Sequence, residues 1–360
     1  MHSFPVAILG LLAAARAFSP GRFDARCVAV RRGPSSYPTL SVLSRRRRAS
    51  SPAPWSVVLG ASTDGGRELV GEDAATFSLE QQTVKAWGIF AGAVATVLGF
   101  LFYVWLFDGG PRGGDEFKRV MEGLAGGDST LTITYMLAFF AVAHSGLASL
   151  RPTAEEIVGA RAWRVIFALV SLPLAFSCIV YFINHRYDGV QLWDLRSQPW
   201  MHDVVWWSSL VSFFFLYPST FNLLEVAAVD KPKLHLWETG ITRITRHPQM
   251  VGQVTWCAAH TLYLGTGFMC ATSAMLCAHH LFAVWNGDRR LRAKFGDKAD
   301  IVRESTSVVP FAAIISGKQV LPEDYYKEFL RLPYLTIIVG SVAAYYAHPF
   351  MQAGATLTKW

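Results

Sequence analysis

The 360-residue sequence predicts an all-α fold: a polytopic membrane helix bundle of about seven transmembrane helices with a metal site between helices. Three observations carry that expectation. Hydrophobic residues make up 52% of the chain against 16% charged, a balance foreign to soluble proteins of this length. Apolar runs long enough to cross a bilayer recur between Val84 and Met351. Four of these runs enclose a histidine, above all His144 in LTITYMLAFFAVAHSGLASL and His260 in MVGQVTWCAAHTLYLGTG. An ionisable side chain in hydrocarbon is costly enough to mark a functional site.

The first element is a presequence over residues 1–60. An apolar core, Pro5–Ala15, precedes the small-residue site Ala15-Arg16-Ala17, which is the pattern of a signal peptide. An Arg-, Ser- and Pro-rich stretch follows it. Residues 1–60 hold nine Arg against one acid, Asp24, so they alone account for the net charge of +7. The basicity therefore belongs to a bipartite plastid-targeting address, and no nucleic-acid surface is implied. A polar linker occupies 61–83, and the membrane helix bundle occupies 84–360.

Seven spans are expected in the bundle: Val84–Phe107, Leu131–Leu150, Val165–Asn184, Val204–Leu224, Met250–Thr266, Gly267–Trp285 and Leu332–Met351. Loops on the side of the mature N-terminus hold sixteen Lys and Arg, and the opposite side holds six. The positive-inside bias thus puts the N-terminus in and the C-terminus out, with the stroma as the positive side of a plastid membrane. Residues 286–331 read as the only sizeable polar segment.

Imidazoles on two different spans can hold one metal, and the iron of a haem is the first candidate because neutral imidazole is its commonest protein ligand. Depth tests the idea. His144 lies about 9 Å from the positive end of its span and His260 about 15 Å from its own. Cys257 and His279 fall nearer the depth of His144, so position alone leaves the second ligand open. Cys257, His260 and Gln253 share one helix face. The other residues have plainer readings. His185, His202 and His235 fall in loops, His247 caps the helix that begins at Pro248, and His348 sits near a membrane interface. Cys178, Cys270 and Cys277 are small apolar fillers, and no disulfide framework is indicated. Trp206, Trp207, Phe213, Phe214 and Phe215 form an aromatic face suited to lipid or to a flat apolar substrate.

The stretches HSGLASLRPT (144–153), YFINHRYDG (181–189), FFFLYPSTFNLLEVAAVDKPKLHLWETGITRITRHPQMVGQ (213–253), AHHLFAVWNGDRRL (278–291) and LPEDYYKEFLRLPYL (321–335) closely resemble the plastid 15-cis-ζ-carotene isomerase family. That family lies within the NnrU-type membrane superfamily, and the resemblance covers about residues 130–351. It implies a haem b protein, active with ferrous iron, that converts 9,15,9′-tri-cis-ζ-carotene to 9,9′-di-cis-ζ-carotene with no net redox change. By the same resemblance the haem ligands are His144 and His260, Cys257 is an alternative ligand when the redox state changes, and these three residues carry the chemistry. The implied partners are the lipid-soluble carotene, neighbouring carotene desaturases, an electron donor and a plastid membrane crossed several times. Two other classes remain open. RHPQMVG is similar to a motif of integral-membrane S-adenosylmethionine-dependent methyltransferases, although Asn286–Arg290 lacks their acidic pair. A b-type haem electron carrier would also use two intramembrane histidines.

Overall fold

A computed structural model describes residues 84–107, 110–216, 240–330 and 332–356. The presequence, the polar linker and His235 lie outside the described residues. Those described are helical, with strand pairing limited to one isolated bridge, Gln191 to Thr266. Helix α1, Val84–Leu101, continues through a π-helical turn, Phe102–Leu106. Then come α2, Gly113–Leu124, α3, Ser129–Val158, α4, Ala160–His185, and α5, Pro199–Leu216. After the one-turn α6, Ile241–Ile244, come α7, Pro248–Leu264, and α8, Gly267–Phe295. Short helices α9, Asp297–Ser305, and α10, Ala312–Ile315, and a 3₁₀ turn, Tyr325–Phe329, lead to α11, Leu332–Thr356. Among the described residues three helices, α3, α4 and α8, are long and apolar enough to cross a membrane, and the fourth expected run is described only as far as Leu216.

Local chemistry sets the ends. Asp128 caps α3 by accepting from Leu131 N at 2.7 Å, and Thr266 caps α8 by accepting from Met269 N at 3.1 Å. Gly159 (φ 83) and Gly296 (φ 54) stop α3 and α8 in conformations that side chains resist. Both helices outrun their apolar stretches, α3 past Leu150 to Val158 and α8 past Trp285 to Phe295. Hydropathy marks where a helix leaves hydrocarbon and not where it stops. The polar tail of α3 is sustained by an i,i+4 pair, Arg151 Nε to Glu155 Oε1 at 2.7 Å.

The segment 286–331 is not the only polar one with structure. Helix α2, between the first two spans, is amphipathic and buries Phe117 and Met121, four residues apart on one face. They join Ile133, Met136 and Leu137 of α3, Leu174 and Tyr181 of α4, and Phe268 of α8 in one core. Trp105 donates from its indole nitrogen to Ser177 Oγ at 2.8 Å and ties the π-helical turn to α4.

Polar contacts sort into two ends of the bundle. At one end the α4–α5 loop docks on the α7–α8 turn, with Leu192 N to Gly265 O at 2.7 Å and Gly267 N to Val190 O at 2.8 Å. Asn184 Nδ2 reaches Ala355 O there at 3.2 Å. At the other end Arg290 donates to Ala148 O at 3.2 Å, and Arg243 pairs with Glu328 at 3.0 Å. Successive long helices from α3 to α8 therefore run alternately between the two ends. The turn at Gly265 (φ 62) admits no side chain: a Cβ would collide with Trp193 O.

Candidate functional site

His144 sits on α3 among rings. Its ring centroid lies 5.2 Å from that of Phe140, 4.9 Å from Phe167 of α4 and 5.8 Å from His279 of α8. Its Nδ1 lies 3.2 Å from the hydroxyl of Ser171, a buried residue of α4. That contact occupies one ring nitrogen and leaves Nε2 as the atom to be used. Beside it, His279 Nδ1 is buried with no hydrogen-bond partner among the described residues.

Helix α7 presents the other two candidates. The Cys257 thiol is 2% exposed and accepts from Gln253 Nε2 at 3.4 Å, so the face shared by these residues is intact in the fold. His260 stacks on Trp256, with centroids 3.9 Å apart and rings 24° from parallel. Its Nδ1 lies 2.9 Å from the carbonyl oxygen of Trp256. A carbonyl only accepts, so Nδ1 carries the hydrogen and Nε2 keeps a free lone pair, the tautomer of a metal ligand.

Helix α8 serves as a ruler for depth, since it packs against both α3 and α7. His144 lies level with His279, and Thr261 lies level with Ser273, their hydroxyls 2.7 Å apart. The antiparallel register then places Cys257 level with Cys277, about 3 Å along the axis from His144, and His260 about 7 Å from it. Among the described residues no ring contact joins His144 to His260. The fold pairs His144 with His279 and Cys257 with Cys277, and sets His260 against Trp256. Among the described residues, no three His, Cys, Asp or Glu side chains converge to hold a bare metal ion. Haem makes a smaller demand, because its macrocycle fills four positions on the iron and the protein supplies only axial donors. The rings of His144 and His260, each with its Nδ1 beside an oxygen of its own surroundings, supply donors of the type that demand calls for.

A polar cluster closes the positive end of α7. His247 occupies the N-cap position, but its side chain makes no capping bond. Its Nε2 lies 2.8 Å from Asp288 Oδ1 on α8, and Arg246 donates to Asp288 Oδ2 at 2.8 Å. The expected cap is therefore an ionic clasp between two helices, which a carboxylate 41 residues away makes possible. His185 is the last residue of α4 rather than a loop residue, with Nδ1 2.8 Å from Asp188. His202 likewise lies in α5, its Nε2 3.3 Å from the Tyr345 hydroxyl. The aromatic face of α5 divides: Trp206 packs on Tyr345 at 3.7 Å between centroids, Phe215 is buried, and Trp207 is exposed. Ser171 and the pairing role of Asp288 went unread in the sequence, since neither residue type is unusual where it stands.

Residues 132–354 match the family model described as NnrU protein. The chain is 52% identical over 330 residues to the "15-cis-zeta-carotene isomerase, chloroplastic" of Zea mays, covering 90% of this chain and 89% of that relative. It is 55% identical over 292 residues to the protein of the same name from Arabidopsis thaliana, covering 81% of this chain and 79% of the relative. No solved structure matches it.

Proposed function

The chain belongs to the NnrU family, and from that premise we propose that it is a cis–trans isomerase of carotenoid biosynthesis. Its reaction would turn the 15-cis double bond of 9,15,9′-tri-cis-ζ-carotene to trans and release 9,9′-di-cis-ζ-carotene. One observation carries the reading: more than half of the aligned positions are identical to relatives named for this reaction, across most of both chains.

The residues on α3 and α7 define how the chain would take part. His144 and His260 would hold the iron of a haem b through Nε2, with Cys257 as the alternative donor once the iron is oxidised. When bound in the ferrous state, that group supplies an electron-rich iron that lowers the bond order of the central C=C, so that rotation about it is no longer blocked. Ser171 orients the ring of His144, and the Trp256 carbonyl fixes the tautomer of His260. Gln253 holds the Cys257 thiol on the same face. Cys257 and His260 lie three residues apart on one helix, so either would reach the group with little backbone movement. Phe140 and Phe167 wall His144 with apolar surface and exclude water from it.

The seven apolar runs would span a plastid membrane with the positive end in the stroma, a reading supported by the chloroplastic relatives, by three helices of membrane-spanning length and by the alternation of helix ends. A lipid-soluble carotene would then reach the bundle from the hydrocarbon. Neighbouring carotene desaturases and an electron donor to the iron would be its working partners. The test is expression in bacteria that accumulate tri-cis-ζ-carotene in darkness. The reading predicts accumulation of the 9,9′-di-cis isomer in cells making this chain. An unchanged isomer profile, with the protein present in the membrane, contradicts it.

A further inference from the structure

The α7–α8 hairpin holds two thiols opposite each other. Near its turn the hydroxyls of Thr261 and Ser273 lie 2.7 Å apart, and at its far end His247 Nε2 lies 2.8 Å from Asp288 Oδ1. Between these two pins the helices are antiparallel and advance together at about 1.5 Å per residue. Four residues back from Thr261 is Cys257, and four residues on from Ser273 is Cys277. Ser273 Oγ also donates to Cys257 O at 3.5 Å, one helical turn before Thr261. The two thiols accordingly stand level with each other across the hairpin. Cys257 is fully buried, while Cys277 is partly exposed, so the pair is reached from the Cys277 side.

We propose that Cys257 and Cys277 form an intramembrane dithiol that a lipid-soluble quinone closes to a disulfide. Each thiol gives up its hydrogen, an S–S bond forms between the two sulfurs, and the quinone takes up two electrons and two protons to leave as the hydroquinone. The apolar setting selects the oxidant: a charged, water-soluble disulfide stays outside the hydrocarbon, whereas a quinone dissolved in lipid reaches a thiol on a helix flank. Bonded to Cys277, the sulfur of Cys257 is no longer free to become a thiolate donor. That consequence rests on the iron ligation proposed above; the disulfide itself does not.

The experiment uses the full chain in neutral phospholipid vesicles, with and without haem, exposed to a fully substituted short-chain benzoquinone that cannot add to thiols. Free thiols are then alkylated and the protein is mapped without reduction. The expected result, with or without haem, is one linked peptide pair joining Cys257 to Cys277 and loss of alkylation at both. The link disappears in Cys277→Ser and persists in Cys270→Ser. Full alkylation of Cys257 and Cys277 after quinone treatment, or linkage of Cys277 to Cys270 or Cys178, overturns the proposal. In haem-loaded protein the quinone is expected to move the ferric absorbance spectrum to that of Cys257→Ala, with no such change in Cys277→Ser. A link formed without any spectral change supports the dithiol and removes Cys257 from the iron.

Discussion

Replacing Gly252 by alanine sets two opposing effects against each other on the helix that carries Cys257 and His260. Gly252 lies where α5 crosses α7, and a Cβ there would sit 2.6 Å from Ser212 O, 2.9 Å from Leu216 N and 2.6 Å from Leu216 Cγ. The first two are backbone atoms, so no rotamer change relieves them. Ordinary contact begins at 3.4 Å, against the 2.6 Å available, and the helices must separate by about 0.8 Å. Overpacking of this kind costs about 1–3 kcal/mol. The separation also stretches the bond from Ser212 Oγ to Gly252 O, now 2.8 Å, which contributes about 1 kcal/mol. Against this, alanine in a helix interior gains roughly 0.5–1 kcal/mol over glycine. The clash wins, and Gly252→Ala is expected to destabilise by about 1–3 kcal/mol. The control is Gly340→Ala on α11, where a Cβ meets nothing within 4 Å and only the propensity gain remains. Thermal unfolding in detergent, followed by tryptophan fluorescence, should show the first variant melting several degrees below wild type and the second at or above it. A melting temperature for Gly252→Ala equal to or above that of Gly340→Ala would refute the close crossing.

Other substitutions address the site and its clasp. His144→Ala should insert normally, since one imidazole contributes little to the apolarity of its span, yet purify without haem; full haem content in that variant sinks its assignment. Cys257→Ala should change the ferric absorbance spectrum and leave the ferrous one in place, while His260→Ala should do the reverse, because a thiolate suits the more positive iron. Spectra of wild type and Cys257→Ala that coincide in both redox states would leave Cys257 as a packing residue. Asp288→Asn removes the counter-charge of Arg246 and the partner of His247, where both members of the ion pair are 17% exposed. Loss of one partner from such a half-sheltered pair should cost about 2–3 kcal/mol in unfolding measurements, with the Arg246→Ala, Asp288→Asn double variant losing less than the sum of the singles.

The helical class was legible because hydrocarbon imposes it: a run such as Leu131–Leu150 has few ways to satisfy its backbone in lipid except as a helix. His144, His260 and Cys257 stood out for a related reason, being polarisable or ionisable groups where apolar ones are expected. What stayed hidden depends on tertiary pairing. Ser171 is an ordinary serine until α4 brings it beside His144, and Asp288 is one charge among several until the hairpin brings it to Arg246 and His247. Helix α2 escaped notice because its apolar face is only a few residues wide and its charges dominate the segment. Depth along the spans put His279 near His144, and the fold sets their rings 5.8 Å apart. The sequence could not supply the relative rotation of α3, α7 and α8, which decides which donors face one another.

The most direct test of the account is the isomer composition of 9,15,9′-tri-cis-ζ-carotene after incubation, without oxygen and in darkness, with purified haem-loaded protein in its reduced and oxidised forms. Chromatographic separation of the isomers reads the outcome. The account predicts conversion to 9,9′-di-cis-ζ-carotene by the reduced protein, little conversion by the oxidised protein, and none by His144→Ala in either form. Recovery of the tri-cis substrate intact from reduced, haem-loaded protein, or equal conversion by His144→Ala, would contradict it.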